Sequence, residues 1–237
     1  MPDSTSSPSA HAGRKSRSAE PVLRAESLSK RYGQASFVME DFSYEFTPGS
    51  ATGLTGPNGS GKTTLLRLLT TAAYPTSGRI LWNGQDIHKK PHHYLAETGF
   101  AFDSSELPQF ANTDELLEVI LRSRGLWDDD ASPRHINELL NLLSLDERRR
   151  SLIGTYSSGM MQKTLLAAAL ITQPPLVLLD EPFRALDVET RSILTEYLAE
   201  RKKQDTTIII SSHLPEIVEQ LCDEVLEFPL GSSPKAS

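Results

Sequence analysis

From Val22 onward, apolar residues come in short runs or alternate with polar ones, and turn residues end each run. Val22-Leu23, Phe42 to Phe46 and Arg79 to Trp82 read as strands, and Asn83-Gly84 after the last of them marks a turn. Ala51 to Thr55 is another short strand. A glycine-rich loop follows it, and then Lys62 to Thr71, where Leu65, Leu66, Leu68 and Leu69 recur at helical spacing. From about Asp103 to Tyr156 the pattern is helical, with one stripe of Leu116, Leu117, Ile120 and Leu121 and a second of Ile136, Leu139, Leu140 and Leu143. Strand-like runs return at Leu176 to Leu179 and Thr206 to Ser211. Both are unbroken and rich in Leu, Val and Ile, as in parallel strands covered on both faces. Glu224 to Phe228 is the last strand candidate. The pattern predicts an α/β fold with a helical lobe inserted in its core.

A length of 237 residues fits one substantial domain, or a core with a subordinate lobe. The net charge of -7 gives no overall attraction to nucleic acid, and none is expected as a partner. Cys222 stands alone, which excludes an intramolecular disulfide and a cysteine metal cluster and fits a reducing compartment. Residues 1–21 are rich in Ser, Ala and Pro, with a basic group at Arg14, Lys15 and Arg17 and no apolar run. They are expected to be a disordered tail and not a secretory signal. A second polar tail is expected over 230–237. No apolar stretch approaches the roughly 20 residues that span a bilayer, so any membrane crossing falls to another chain.

Gly56-Pro57-Asn58-Gly59-Ser60-Gly61-Lys62-Thr63 matches the phosphate-binding loop G-x-x-x-x-G-K-[ST] and lies between a strand and a helix, as that motif requires. Glycines let backbone N–H groups converge on phosphate oxygens, and the helix N-terminus adds favourable dipole charge. Lys62 is expected on the β- and γ-phosphates, Thr63 on Mg²⁺, and Thr64 beside them in the cradle. Leu176 to Asp180 is a buried strand ending in the acidic pair Asp180-Glu181, at the strand end where ligands sit in open α/β sheets. Asp180 is expected to hold Mg²⁺, and Glu181 to take a proton from the attacking water, or to polarise it.

Tyr156-Ser157-Ser158-Gly159-Met160-Met161-Gln162-Lys163 resembles the signature motif, L-S-G-G-Q, of ATP-binding cassette proteins. The resemblance runs from Val22 to Phe228 with all elements in the family's order. It implies a phosphate-loop core with a mostly parallel sheet, an N-terminal antiparallel β subdomain and a helical subdomain over about 103–160, together forming one ATPase domain over 22–229. It further implies that Tyr32 stacks on adenine and that Ala185-Leu186-Asp187 is the loop that helps join two sites. On the same resemblance, His213 would be the switch histidine on the γ-phosphate. Ser157 and Gly159 would open a helix toward an anion, which in the family is the γ-phosphate of ATP on a partner subunit.

Three departures stand out. Asp103, in Gly99-Phe100-Ala101-Phe102-Asp103, falls where the family has glutamine or glutamate near Mg²⁺ and the attacking water, and its side chain is shorter. The signature carries Tyr156, Ser158 and Met160, a variant similar to cassettes of exporter-type permeases. Phe183-Arg184-Ala185 replaces a small or polar residue and a glycine, which alters the dimer seam. His92-His93 beside Pro91 reads as a solvated loop, and Lys89-Lys90 and Arg148 to Arg150 as exposed charge runs. The expected function is that of an ATP-hydrolysing subunit acting as a homodimer or heterodimer. It would drive a separate integral membrane permease, in the export direction, from the cytoplasmic face of the cell membrane, with the lobe near Asp103 to Ser123 as the contact. A non-transport cassette ATPase and an ATP-dependent dimer switch with little turnover remain as alternatives.

Overall fold

A computed structural model describes residues 23–34, 36–145 and 147–230. Val22, the tail expected over 1–21 and residues 231–237 of the tail expected over 230–237 lie outside them. Leu230, counted with the second tail, packs partly buried against the core.

Nine strands form two sheets among the described residues. The first is antiparallel, in the order β2 (Phe37–Phe46), β1 (Leu23–Arg31), β4 (Ser77–Trp82), β5 (Gln85–Asp86). It is not wholly N-terminal, because β4 and β5 come after the glycine-rich loop and its helix α1 (Lys62–Leu69). The second sheet is parallel, in the order β6 (Thr98–Ala101), β7 (Leu176–Asp180), β8 (Thr207–Ser211), β3 (Ala51–Thr55), β9 (Glu224–Glu227). The α/β class, the parallel core and the antiparallel subdomain expected from sequence are all present.

Why the core strands are unbroken apolar runs is visible in their two faces. Val177, Leu179, Ile208 and Ile210 enter one apolar cluster with α5 (Ser158–Leu170) and α6 (Val188–Lys203). Their neighbours Leu176, Leu178 and Ile209 enter the other, with Leu65, Leu66, Leu68 and Leu69 of α1 and with Phe46 and Ile80 of the antiparallel sheet. Successive strand side chains point to opposite faces, so covering both faces demands apolar residues at every position.

The helical lobe has α3 (Thr113–Ser123) and α4 (Ala131–Leu142). Asn112 and Glu115 start α3 with reciprocal capping bonds, each 3.0 Å, and Gly125 at φ 68 follows its end. Leu117, Leu121, Ile136, Leu139 and Leu140 join the same cluster as Val177 and Ile208, so lobe and sheet share one core. Arg149 corrects the reading of an exposed charge run: it is largely buried, with Nη2 2.6 Å from Asp114 Oδ1, and it also donates to Asn137 of α4. A second correction concerns His92 and His93. They sit exposed on a short helix, α2 (Pro91–Ala96), with Pro91 in its first turn, where proline is favoured, and with Tyr94 buried beneath.

Helix α5 leaves the lobe and ends alongside β6, where the two backbones nearly touch. A Cβ at Gly99 would stand 2.0 Å from the Ala169 carbonyl oxygen and 2.8 Å from Pro174. Gly99→Ala is therefore expected to destabilise the chain by about 1–3 kcal/mol, the usual range for overpacking. Urea unfolding measures it, and an unchanged midpoint would contradict this packing.

Candidate functional site

The carboxyl ends of β3, β7 and β8 meet at one cleft of about 670 Å³. Strand β3 runs into the loop at Gly56, whose φ of 125 only glycine adopts readily, and a Cβ there would lie 2.2 Å from the Phe228 carbonyl oxygen. The loop ends at Gly61, the N-cap of α1, and no side chain caps that helix. Its first N–H groups are thus left for an anion. Lys62 is buried, and its ammonium donates to the carbonyl oxygens of Gly56 (2.7 Å) and Pro57 (3.0 Å), tying the loop's last residues to its first. An ammonium has three donors, so one remains.

Across the cleft Asp180 ends β7. Its Oδ2 accepts from the Thr63 hydroxyl at 2.7 Å and its Oδ1 from the Ser211 hydroxyl at 2.5 Å. Ser211 Oγ in turn accepts from the Glu181 N–H at 2.8 Å, which fixes the backbone of the next residue. Glu181 adopts φ 48, a left-handed turn that separates its direction from that of Asp180. Its carboxylate meets His213 Nδ1 at 2.6 Å. With Nδ1 donating to Glu181, the histidine donates from Nε2 as well only as imidazolium.

The residues expected from sequence divide into three groups. Asn58, Gly59, Gly61, Lys62, Thr63, Thr64, Asp103, Asp180 and Glu181 line the cleft together. Gly56, Pro57 and Ser60 shape the loop behind it. Tyr32, Ser157, Gly159 and His213 do not line it. Tyr32 lies beyond β1, half exposed, with Lys30 Nζ 4.7 Å from its ring centre. Asp103 starts a short 3-10 turn, accepting from the Ser105 N–H at 2.9 Å. That bond holds its carboxyl below the usual carboxylate range, and the nearby Arg67 and Arg184 lower it further.

Ser157 caps α5, its hydroxyl accepting from the Met160 N–H at 3.3 Å. Gly159 has a packing reason as well, since a Cβ there would stand 2.8 Å from the carbonyl oxygen of Ala185. Two further bonds fasten α5 to the loop after the acidic pair. Gln162 Nε2 donates to Pro182 O at 3.1 Å, and Lys163 Nζ lies 3.3 Å from Asp187 Oδ2. Asp187 caps α6 through the Thr190 N–H and hydroxyl, each 2.8 Å away. Those bonds, aided by Lys163, depress its pKa far below the ordinary carboxylate value.

Sequence reasoning missed Ser211, Gln162 and Lys163. Each was inside a quoted motif, but only Ser211 carried a signal of its own, as a hydroxyl closing a strand of three isoleucines. It also missed Ser158, Arg67 and Phe102 as cleft residues.

Known proteins resemble this chain in sequence and in fold. Residues 39–184 match the sequence profile of the ABC transporter family. The chain is 33% identical over 195 residues to the ABC transporter ATP-binding protein NatA of Bacillus subtilis, a match covering 82% of this chain and 79% of that protein. It is 33% identical to the Nod factor export ATP-binding protein I of Burkholderia orbicola, covering 84% of this chain but only 64% of the relative's length. A solved ATP-binding subunit of an ABC transporter superposes with a TM-score of 0.81 at 28% identity, covering 87% of this chain and 85% of that one. The chain belongs to the ABC transporter family and is an ATP-binding, ATP-hydrolysing cassette.

Asp187→Ala removes a helix cap and should cost about 0.5–2 kcal/mol at neutral pH. Because the folded-state pKa is the lower one, the carboxylate's contribution is complete above its unfolded value of about 3.9 and is lost as pH falls toward the folded value. The gap in urea stability between parent and variant should therefore shrink below about pH 4. A gap that stays constant down through the acid range would contradict the capping bonds.

Proposed function

We propose that this cassette is the motor subunit of a transporter, binding Mg-ATP in the cleft and driving a separate membrane permease through ATP-dependent pairing with a second cassette. The observation that carries it is the meeting of the phosphate loop with Asp180 and Glu181, bound together through Thr63 and Ser211. Loop N–H groups and the remaining Lys62 donor take the phosphates. A hydroxyl and a carboxylate 2.7 Å apart are hard oxygen donors of the kind Mg²⁺ prefers, so Thr63 and Asp180 fit as its holders, with Asp103 nearby. When bound, the ion neutralises charge on the phosphates.

Glu181 accepts the proton of the attacking water on the carboxylate oxygen that His213 leaves free, and His213 orients that carboxylate. Tyr32 takes the adenine. Ser157 and Gly159 lie outside their own chain's cleft, which fits a role on the nucleotide of a paired cassette. Bonds to ATP that form only in the pair then favour the closed state. Asp187 and its exposed neighbour Val188 belong to that seam.

A second groove, of about 280 Å³, lies between the lobe and β6. Phe100, Leu107, Leu116, Ile120 and Leu165 give it an apolar wall. Phe102 and Asp103 line both this groove and the nucleotide cleft. It is the face we assign to the permease, with the 102–103 segment relaying the state of one site to the other. Among the described residues no helix is long and apolar enough to cross a membrane, and the chain is taken to act peripherally at the inner face. Relatives named for Nod factor export favour an exporter.

Glu181→Gln should retain ATP binding while lowering turnover by about 10²-fold or more, as expected for loss of a general base. Lys62→Ala should weaken ATP binding itself. Equal turnover by Glu181→Gln and parent, or unchanged ATP affinity in Lys62→Ala, would overturn the assignment; phosphate release and titration calorimetry provide the two readings.

A further inference from the structure

Two of the departures from the family's motifs, Asp103 and Arg184, line the same cleft. We propose that Arg184 is an added cation of the nucleotide site, meeting the terminal phosphate of bound ATP and facing Asp103 before ATP arrives. The inference rests on the nucleotide reading of the cleft given above.

Charge points to this role first. The cleft lining carries Lys62, Arg67 and Arg184 against Asp103, Asp180 and Glu181. Without the two arginines a single cation would face three carboxylates, a poor setting for a ligand as anionic as ATP, even with its metal. Availability points the same way. Arg24, Arg79, Arg122 and Arg149 are each tied up in ion pairs. The side chains of Arg67 and Arg184 make no hydrogen bond or ion pair among the described residues, and both line the cleft together with Asp103.

Position completes the case. The Arg184 N–H donates to the Glu181 carbonyl oxygen at 3.0 Å, closing a turn that fixes the arginine three residues beyond that carboxylate. Glu181 addresses the water that attacks the terminal phosphate, whereas the inner phosphates lie on the loop and the N-terminus of α1. A guanidinium set here meets the terminal phosphate with a two-pronged donor set, which the smaller residue usual at this place lacks. The contact is made to ATP and lost in ADP, and that difference identifies it.

Mg-ATP and Mg-ADP affinities of the full chain, its Arg184→Ala and Arg184→Lys variants, and Lys62→Ala, provide the test. Arg184→Ala should weaken ATP by about tenfold, the weight of one charge-assisted contact. ADP should change by less than about twofold, and Arg184→Lys should recover part of the ATP loss. An ATP-to-ADP affinity ratio unchanged in Arg184→Ala, while Lys62→Ala loses both nucleotides, overturns this inference alone. A parent chain that binds neither nucleotide overturns the reading of the cleft and this inference with it. Should Arg184→Ala not fold, Arg184→Gln carries the same comparison.

Discussion

The Asp180 carboxylate accepts one hydrogen bond from Thr63, at the start of α1, and a second from Ser211, at the end of β8. Through these two bonds three chain segments, far apart in sequence, are held in one arrangement at the sheet's carboxyl edge. Ser211 then holds the Glu181 N–H, so the carboxylate next in the chain leaves at a fixed angle. Most other features of the site follow from this node. The loop can cradle phosphates because its far end is anchored to β7. Thr63 and Asp180, the proposed metal holders, are already adjacent, because the bond between them brings them together. A buried or half-buried carboxylate without such partners would be costly, and here both oxygens are satisfied.

From this node the order spreads to α5 and α6. The turn after Glu181 passes under Gly159, receives Gln162 at Pro182 and ends at Asp187, which holds Lys163 and caps α6. The signature helix and the acidic pair are therefore joined by packing and hydrogen bonds. Covalent and hydrogen bonds link the acidic pair to the helix that Ser157 caps, and Phe102 and Asp103 line both the cleft and the groove beside the lobe. This continuity is what a motor needs, since a nucleotide can shift an equilibrium only by contacts that differ between its two states.

Much of this was legible in the residues themselves. The doubly covered strands Leu176 to Leu179 and Thr206 to Ser211 declared a parallel sheet, and the phosphate loop between a strand and a leucine-striped helix declared the ligand. What stayed hidden has physical reasons. Strand β6 is four residues long with a glycine inside it, too short to show a period. Helix α2 is only six residues long and begins with a proline, so it read as a loop. Arg149 sat in a run of three arginines, and nothing local distinguishes the one that turns inward to Asp114. Ser211, Gln162 and Lys163 act through partners 20 to 31 residues away in sequence, a distance only the fold closes.

A motor of this kind is of use only if its ATP-driven closure moves a membrane-embedded partner. Tagged Glu181→Gln chain, recovered from detergent-solubilised cells in Mg-ATP, tests that coupling directly by what co-purifies. A polytopic membrane protein is predicted in the complex. Recovery of soluble partners alone would contradict the coupling and point to a cassette ATPase that works outside transport.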